Sequence, residues 1–280
     1  MLSYRHAFHA GNHADVLKHL VLMRLLEHLT QKDSPLLYVD THAGAGGYAL
    51  QSNASQKTGE YLAGIGRLWQ QDGLPPELTR YVELVRGFNR GDTLDFYPGS
   101  PWLARQLLRP ADRLFLFELH PTDFEQLHDH CHADRRIKLR HEDGLSGCIG
   151  LLPPKEKRGL VLIDPSYEIK QDYHRVVETL AKAWRCFATG SYALWYPVIE
   201  RPRIDALERA LRNSGIRRIQ LFELAIQPDQ RGFGMTASGM IVINPPWTLR
   251  ADMQRLLPVL ADRLGLDGQG SYRIVELAGE

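Results

Sequence analysis

The segment Val161-Leu-Ile-Asp164-Pro165-Ser166-Tyr167 constrains the fold of this chain more than any other. An apolar run stops at a carboxylate, a proline and, two residues on, an aromatic. Such a run reads as a parallel strand buried on both faces, and open α/β sheets bind ligands just beyond the C-terminal ends of their strands. An Asp-Pro-x-Tyr tip at that place suits methylation of an exocyclic amine. The lone pair of an adenine N6 is delocalised into the ring, so the amine is a weak nucleophile. A carboxylate and a rigid carbonyl that accept its two N–H bonds favour the nucleophilic form, most strongly near the transition state. Asp164 would be one acceptor, the Pro165 carbonyl the other, and the Tyr167 ring a platform for a base lifted out of its stack. Taken alone, the tetrapeptide fits equally a strand end with a turn proline and a core tyrosine.

A second buried run, Leu36-Leu-Tyr-Val-Asp40, leads into Thr41-His42-Ala-Gly44-Ala-Gly46-Gly47. Gly44 and Gly46 let the backbone approach a ligand closely, and the next turn can open a helix. The same string matches the dinucleotide fingerprint, which requires an acidic residue about 20 positions on, closing the next strand. Gln51–Glu60 is instead polar and loop-like, followed by a helical pattern, so the nicotinamide reading loses.

Periodicity extends the alternation along the chain. Strand-like runs recur at Arg113–Leu119, Ile137–Glu142, Gly159–Asp164, Tyr192–Val198, Ile219–Ile226 and Met240–Asn244. Helical spacing marks His13–Leu29, with Asn12 as its cap, and Thr122–His130, Asp172–Ala183, Ile204–Arg212 and Thr248–Leu264. Alternating β and α predicts a mostly parallel sheet covered on both faces. The last two strands have only the turn-rich Pro228–Gly234 between them and should be antiparallel. Helices expected at Tyr61–Gln71 and Pro76–Phe88 fall within 53–95, an inserted subdomain that either decorates the sheet or grips a substrate. The whole of 1–280 reads as one domain. After Leu264 the sequence is uninformative.

Four carboxylates, Asp40, Glu118, Asp143 and Asp164, close four successive runs. Any one fits a turn or a helix cap. In strand order, with Glu118 placed for a ribose diol and Asp143-Gly144 for an adenine amine, they describe a nucleotide pocket.

With 34 basic and 33 acidic residues the chain has a net charge of +1, so nucleic-acid binding would need a local patch. Cys131, Cys148 and Cys186 make no CxxC, which suits a reducing compartment. The N-terminus lacks an apolar leader, and no stretch approaches the ~18 apolar residues of a membrane span. A cytoplasmic protein is expected. Tyr4, Arg5, His6, His9 and Lys18 mix an aromatic with donors and cations, which suits single-stranded RNA. His128, His130 and His132 match no metal spacing and read as a solvated helix end. Arg201, Arg203, Arg217 and Arg218 can add phosphate contacts, although charge on a helix is more often a solvated face.

Long blocks at Met1–His19, Asp40–Gly46, Tyr97–Pro101, Tyr196–Val198 and Met235–Trp247 resemble the bacterial ribosomal RNA large subunit methyltransferase J family. The resemblance implies a Rossmann-like, S-adenosylmethionine-dependent methyltransferase fold with a small inserted helical subdomain. It implies methylation of N6 of one adenine in 23S rRNA, free or partly assembled, by a monomer that needs neither metal nor membrane. It places the cofactor against Lys18, His19, His42, the Gly44–Gly46 loop, Ser100, Glu118, Asp143, Gly144 and Asp164. It makes Asp164, Pro165 and Tyr167 the catalytic tip, and Tyr4, with His6, a substrate contact. The family pattern is Asp-Pro-Pro-Tyr, whereas here Ser166 stands third, which loosens the loop and bears on turnover. Two alternatives stay open: a DNA-adenine or protein-amide methyltransferase, and a decayed RNA-binding assembly factor.

Overall fold

Side-chain alternation along buried strands gives each strand two apolar faces and so calls for helices on both sides. In a computed structural model, which describes residues 4–229 and 234–280, this is the outcome. An eight-stranded sheet is built from Leu37–Asp40 (β1), Arg113–Phe117 (β4), Ile137–Arg140 (β5), Gly159–Ile163 (β6), Ser191–Val198 (β7), Ile219–Ala225 (β8), Ala237–Ile243 (β9) and Ser271–Ala278 (β10). Their order is β10-β8-β9-β7-β6-β1-β4-β5. Strands β5, β4, β1, β6 and β7 run parallel, and β9 runs antiparallel between β7 and β8, as the short connection predicted. Gln230–Phe233 of that connection lie outside the described residues. The result is the Rossmann-like methyltransferase fold.

Helix α1 (His13–Leu29) begins where its cap predicted, with the Asn12 side chain accepting from the Ala14 and Asp15 amides. It packs on one face of the sheet with Ser100–Leu107 (α5), Pro121–Cys131 (α6) and Leu249–Leu264 (α10), around Tyr38, Leu114 and Leu162. Gly144–Gly147 (α7), Asp172–Cys186 (α8) and Arg201–Arg212 (α9) cover the other face, around Val39, Phe117 and Ile163.

Four local expectations are corrected. The chain after Gly46 enters a short strand, Gly47–Ala49 (β2), paired antiparallel with Phe96–Pro98 (β3), so the crossover helix of β1 opens only at Ser100. The polar stretch after it holds helix Asn53–Thr58 (α2), capped by Ser52. The helix expected over Tyr61–Gln71 shrinks to Glu60–Ala63 (α3) and a 3-10 turn at Ile65–Arg67. Gly64 breaks it: a Cβ there would meet the Gly11 carbonyl at 2.1 Å, and the next amide, of Ile65, donates to that carbonyl. Last, β10 adds an edge strand that the sequence hid, because its side chains are almost all exposed or half-exposed. Helix Pro76–Arg86 (α4) contributes Leu78, Tyr81, Val82 and Val85 to the same core as α1.

Candidate active site

The parallel strands β6, β1, β4 and β5 end side by side, with Asp40 the last residue of β1 and the other three carboxylates just past the ends of β6, β4 and β5. Three of them, Asp164, Glu118 and Asp143, line a cavity of about 670 Å³ roofed by the N-terminal arm. Asp40 lies beneath its floor, fully buried, accepting from the Tyr38 and Ser100 hydroxyls at 2.9 and 2.6 Å. Burial pushes its carboxyl up to about 6.

The glycine loop fits close approach at one position and structural need at the other. Gly44, at φ 59°, lines the cavity and donates its amide to Glu118 Oε2 at 2.9 Å. Gly46 faces away, into a smaller cavity of about 220 Å³ beside Phe88, Trp102 and His130, so it supports the loop rather than touching the main cavity. Gly144 is needed because a Cβ would meet the Thr41 carbonyl at 2.1 Å. Burial raises the Glu118 carboxyl, whereas Asp143 ends below its usual range: burial would raise it, but Arg175 at 2.5 Å outweighs that. His42 and His19 both line the cavity and are held neutral by burial, down to about 4 and about 3. Ser100 lines it at the first turn of α5.

Lys18 lines the same cavity, and its ammonium is already paired there. Its Nζ lies 2.6 Å from Asp164 Oδ2 and 2.8 Å from Asp15 Oδ1, at the strand-tip carboxylate. Burial works against its charge, yet the two carboxylates outweigh it and hold the ammonium protonated. One cation between two carboxylates leaves that trio net negative, and Asp164 bears the cost: burial raises its carboxyl despite Lys18. From Asp15 Oδ2 a hydrogen bond of 2.8 Å runs to His6 Nε2, and from His6 Nδ1 one of 2.9 Å to the Tyr4 hydroxyl. Tyr4, His6, Asp15, Lys18 and Asp164 thus form one continuous chain over the cavity. Asp15 escaped sequence reasoning. Its i−3 spacing to Lys18 on a capped helix was the available signal.

Tyr167 departs from its expected role. At φ 54° it turns under the loop, where its hydroxyl donates to the Trp195 carbonyl at 2.8 Å and its ring packs on Tyr173 at 4.4 Å. It is buried and does not line the cavity, whereas Pro165, Ser166 and Trp195 do. Of the histidine cluster, His128 and His132 stack at the helix end as the solvated reading expected, but His130 Nδ1 bonds the Ala45 carbonyl at 2.8 Å. Arg201 is spent on Glu223 and Asp229, and Arg203 on Glu200, so neither is spare for phosphate.

A family model described as "Ribosomal RNA large subunit methyltransferase D, RlmJ" matches residues 33–277. Two curated proteins named ribosomal RNA large subunit methyltransferase J are similar over nearly full length. The one from Escherichia coli K12 is 53% identical, with 96% of each chain covered. The one from Haemophilus influenzae is 50% identical, with 98% of each covered. A crystal structure of a Legionella pneumophila protein, 39% identical, superposes with a TM-score of 0.89 over 96% of this chain and 98% of that one.

Proposed function

The chain belongs to the ribosomal RNA large subunit methyltransferase J family, and from that membership we propose that it transfers a methyl group from S-adenosylmethionine to N6 of one adenine in 23S rRNA. The observation that carries this reading is the convergence of Asp164, at the Asp-Pro-Ser-Tyr tip, with the Tyr4–Lys18 arm on a cavity walled by strand-tip carboxylates. The residues present fit the cofactor. Glu118 and Asp143 suit a ribose diol and an adenine amine, and the Gly44 turn brings backbone to the wall. Three buried nitrogens in the lining, His13 Nε2, His120 Nδ1 and Trp195 Nε1, have no hydrogen-bond partner among the described residues, as a wall that receives a polar ligand would leave them. When bound, S-adenosylmethionine supplies an electrophilic methyl on a sulfonium.

The chain's own groups do the rest. Asp164 Oδ2 is taken by Lys18, which leaves Oδ1 to accept an N–H of the target amine, with the Pro165 carbonyl accepting the other. An acceptor placed in a dry site is worth about 3 kcal/mol in the transition state. Tyr4 and Trp195, two aromatics of the lining, can stack on a flipped base, while Tyr167 lies buried beneath the loop. The arm bearing Tyr4 and His6 covers the site and excludes water.

The test is methyl transfer by the purified protein to unmodified 23S rRNA, read by mass spectrometry. One N6-methyladenosine is expected, absent from the rRNA of a strain lacking the protein. Transfer to duplex DNA or to a protein amide instead, or failure to bind S-adenosylmethionine by calorimetry, would overturn the reading.

A further inference from the structure

A chain of three side chains runs from α4 through β3 to the cavity wall on α1. Tyr81, on α4, and Tyr97, on β3, bring their hydroxyl oxygens within 2.7 Å of each other, and the Tyr97 hydroxyl lies 2.8 Å from His19 Nδ1. The His19 and Tyr97 rings also stack, 5.5 Å apart and 19° from parallel. Both tyrosines are fully buried, and His19 is 1% exposed while still lining the cavity.

Counting protons fixes the direction of this chain. Two hydroxyl protons need acceptors, and among the described residues Tyr81 has no partner except Tyr97. If His19 Nδ1 carried a proton and donated it to Tyr97, then Tyr97 would donate to Tyr81, and the Tyr81 proton would be stranded in the core. A stranded buried donor costs enough to bias a tautomer by about tenfold or more. If Tyr81 donates to Tyr97 and Tyr97 to Nδ1, every proton is placed and the ring proton sits on Nε2. An imidazolium fails for the same reason, and burial already holds His19 far below its ordinary range.

We propose that Tyr81 and Tyr97 are positioning residues that lock His19 as its neutral Nε2–H tautomer, so that the cavity wall offers a donor to an acceptor group, of carboxylate chemistry, on the bound cofactor. Recognition of that group rests on the cofactor reading above; the tautomer does not. Tyr81 and Tyr97 thereby set the polarity of a residue on α1 from behind the cavity wall.

Nitrogen-15 NMR of histidine-labelled, ligand-free protein tests the lock, with the His19 signal assigned through His19→Gln. The expected signature is an unprotonated Nδ1 and a protonated Nε2 that persist from about pH 8 to about pH 5, across the range where a free imidazole titrates. A protonated Nδ1, or an averaged signal, in the wild type would overturn the proposal. Tyr97→Phe should give a mixed tautomer and weaken S-adenosylmethionine binding in calorimetry by about tenfold. Tyr81→Phe, which leaves the Tyr97 hydroxyl with His19 Nδ1 as its one acceptor among the described residues, should keep the Nε2–H signature, and its loss there would overturn the proton count. An unchanged tautomer and affinity in folded Tyr97→Phe would also sink the lock, and the wild-type signature tests it where that variant does not fold. Wild-type protein that shows the Nε2–H signature yet binds no S-adenosylmethionine would refute the cofactor reading alone.

Discussion

Lys18 and Asp164, 146 positions apart in the chain, meet at 2.6 Å above the end of β6. The carboxylate that opens the Asp-Pro-Ser-Tyr tip is therefore already paired, oriented by a cation that Asp15 and His6 hold in place from α1 and the arm before it.

Asp164→Ala should lower methyl transfer to 23S rRNA by about a hundredfold or more, the loss expected when a charged acceptor is removed from a dry site. Folding should survive, because the side chain lies at the cavity rather than in the core. Radiolabelled methyl incorporation with a parallel thermal melt measures both, and near-wild-type turnover would discard Asp164 as the acceptor.

Lys18→Met leaves Asp15 and Asp164 buried without their shared cation, a loss of about 3–5 kcal/mol at neutral pH. The Asp164 carboxyl, already above its ordinary value, should rise further. A carboxyl whose folded pKa is raised contributes stability at low pH and loses it as pH climbs through the folded value. The variant should therefore regain stability relative to wild type between about pH 7 and pH 5. Melts of the two proteins at both pH values decide it, and a deficit that does not shrink on acidification would contradict the pairing.

Burial holds His42 neutral down to about 4, while an unfolded imidazole titrates near 6.5. A depressed folded pKa contributes stability above the unfolded value that is lost as pH falls toward the folded one. His13 and His19 act in the same direction, as does Asp15, whereas Asp40 and Glu118, raised by burial, oppose them. Comparison with His42→Gln isolates one contribution: the variant should lose less stability than wild type between about pH 6.5 and pH 4. Parallel melting curves across that window would rule out a buried neutral His42.

Gly144→Ala would drive a methyl group against the Thr41 carbonyl at 2.1 Å, a backbone atom that cannot swing aside, at the wall of the cavity. It should lower the melting temperature by several degrees and weaken S-adenosylmethionine binding. Gly150→Ala, with nothing within 4 Å of the added methyl, is the matched control and should stay within about 0.5 kcal/mol of wild type. Equal behaviour of the two variants would show that the close approach at Gly144 carries no function.

Local pattern determined what local pattern can. The buried runs ending at Asp40, Phe117 and Ile163 became adjacent parallel strands, because an unbroken apolar run needs cover on both faces. Helix α1 begins at His13 because the Asn12 side chain caps it, a bond between neighbours in sequence. The carboxylates could be placed at strand ends for the same reason. Tertiary structure decided what those groups touch. Lys18 meets Asp164 because α1 packs on the sheet face with its first turns at the cavity, and no spacing encodes a contact over 146 positions. Tyr167 lies under its loop because φ 54° there turns the ring toward Tyr173, a choice made by packing rather than by its tetrapeptide. Gly64 ends a helix that the periodicity would have continued, because the Gly11 carbonyl occupies the space a Cβ would need. Strand β10 stayed hidden because an edge strand with exposed and half-exposed side chains needs no strict alternation, and its pairing partner β8 supplied the register.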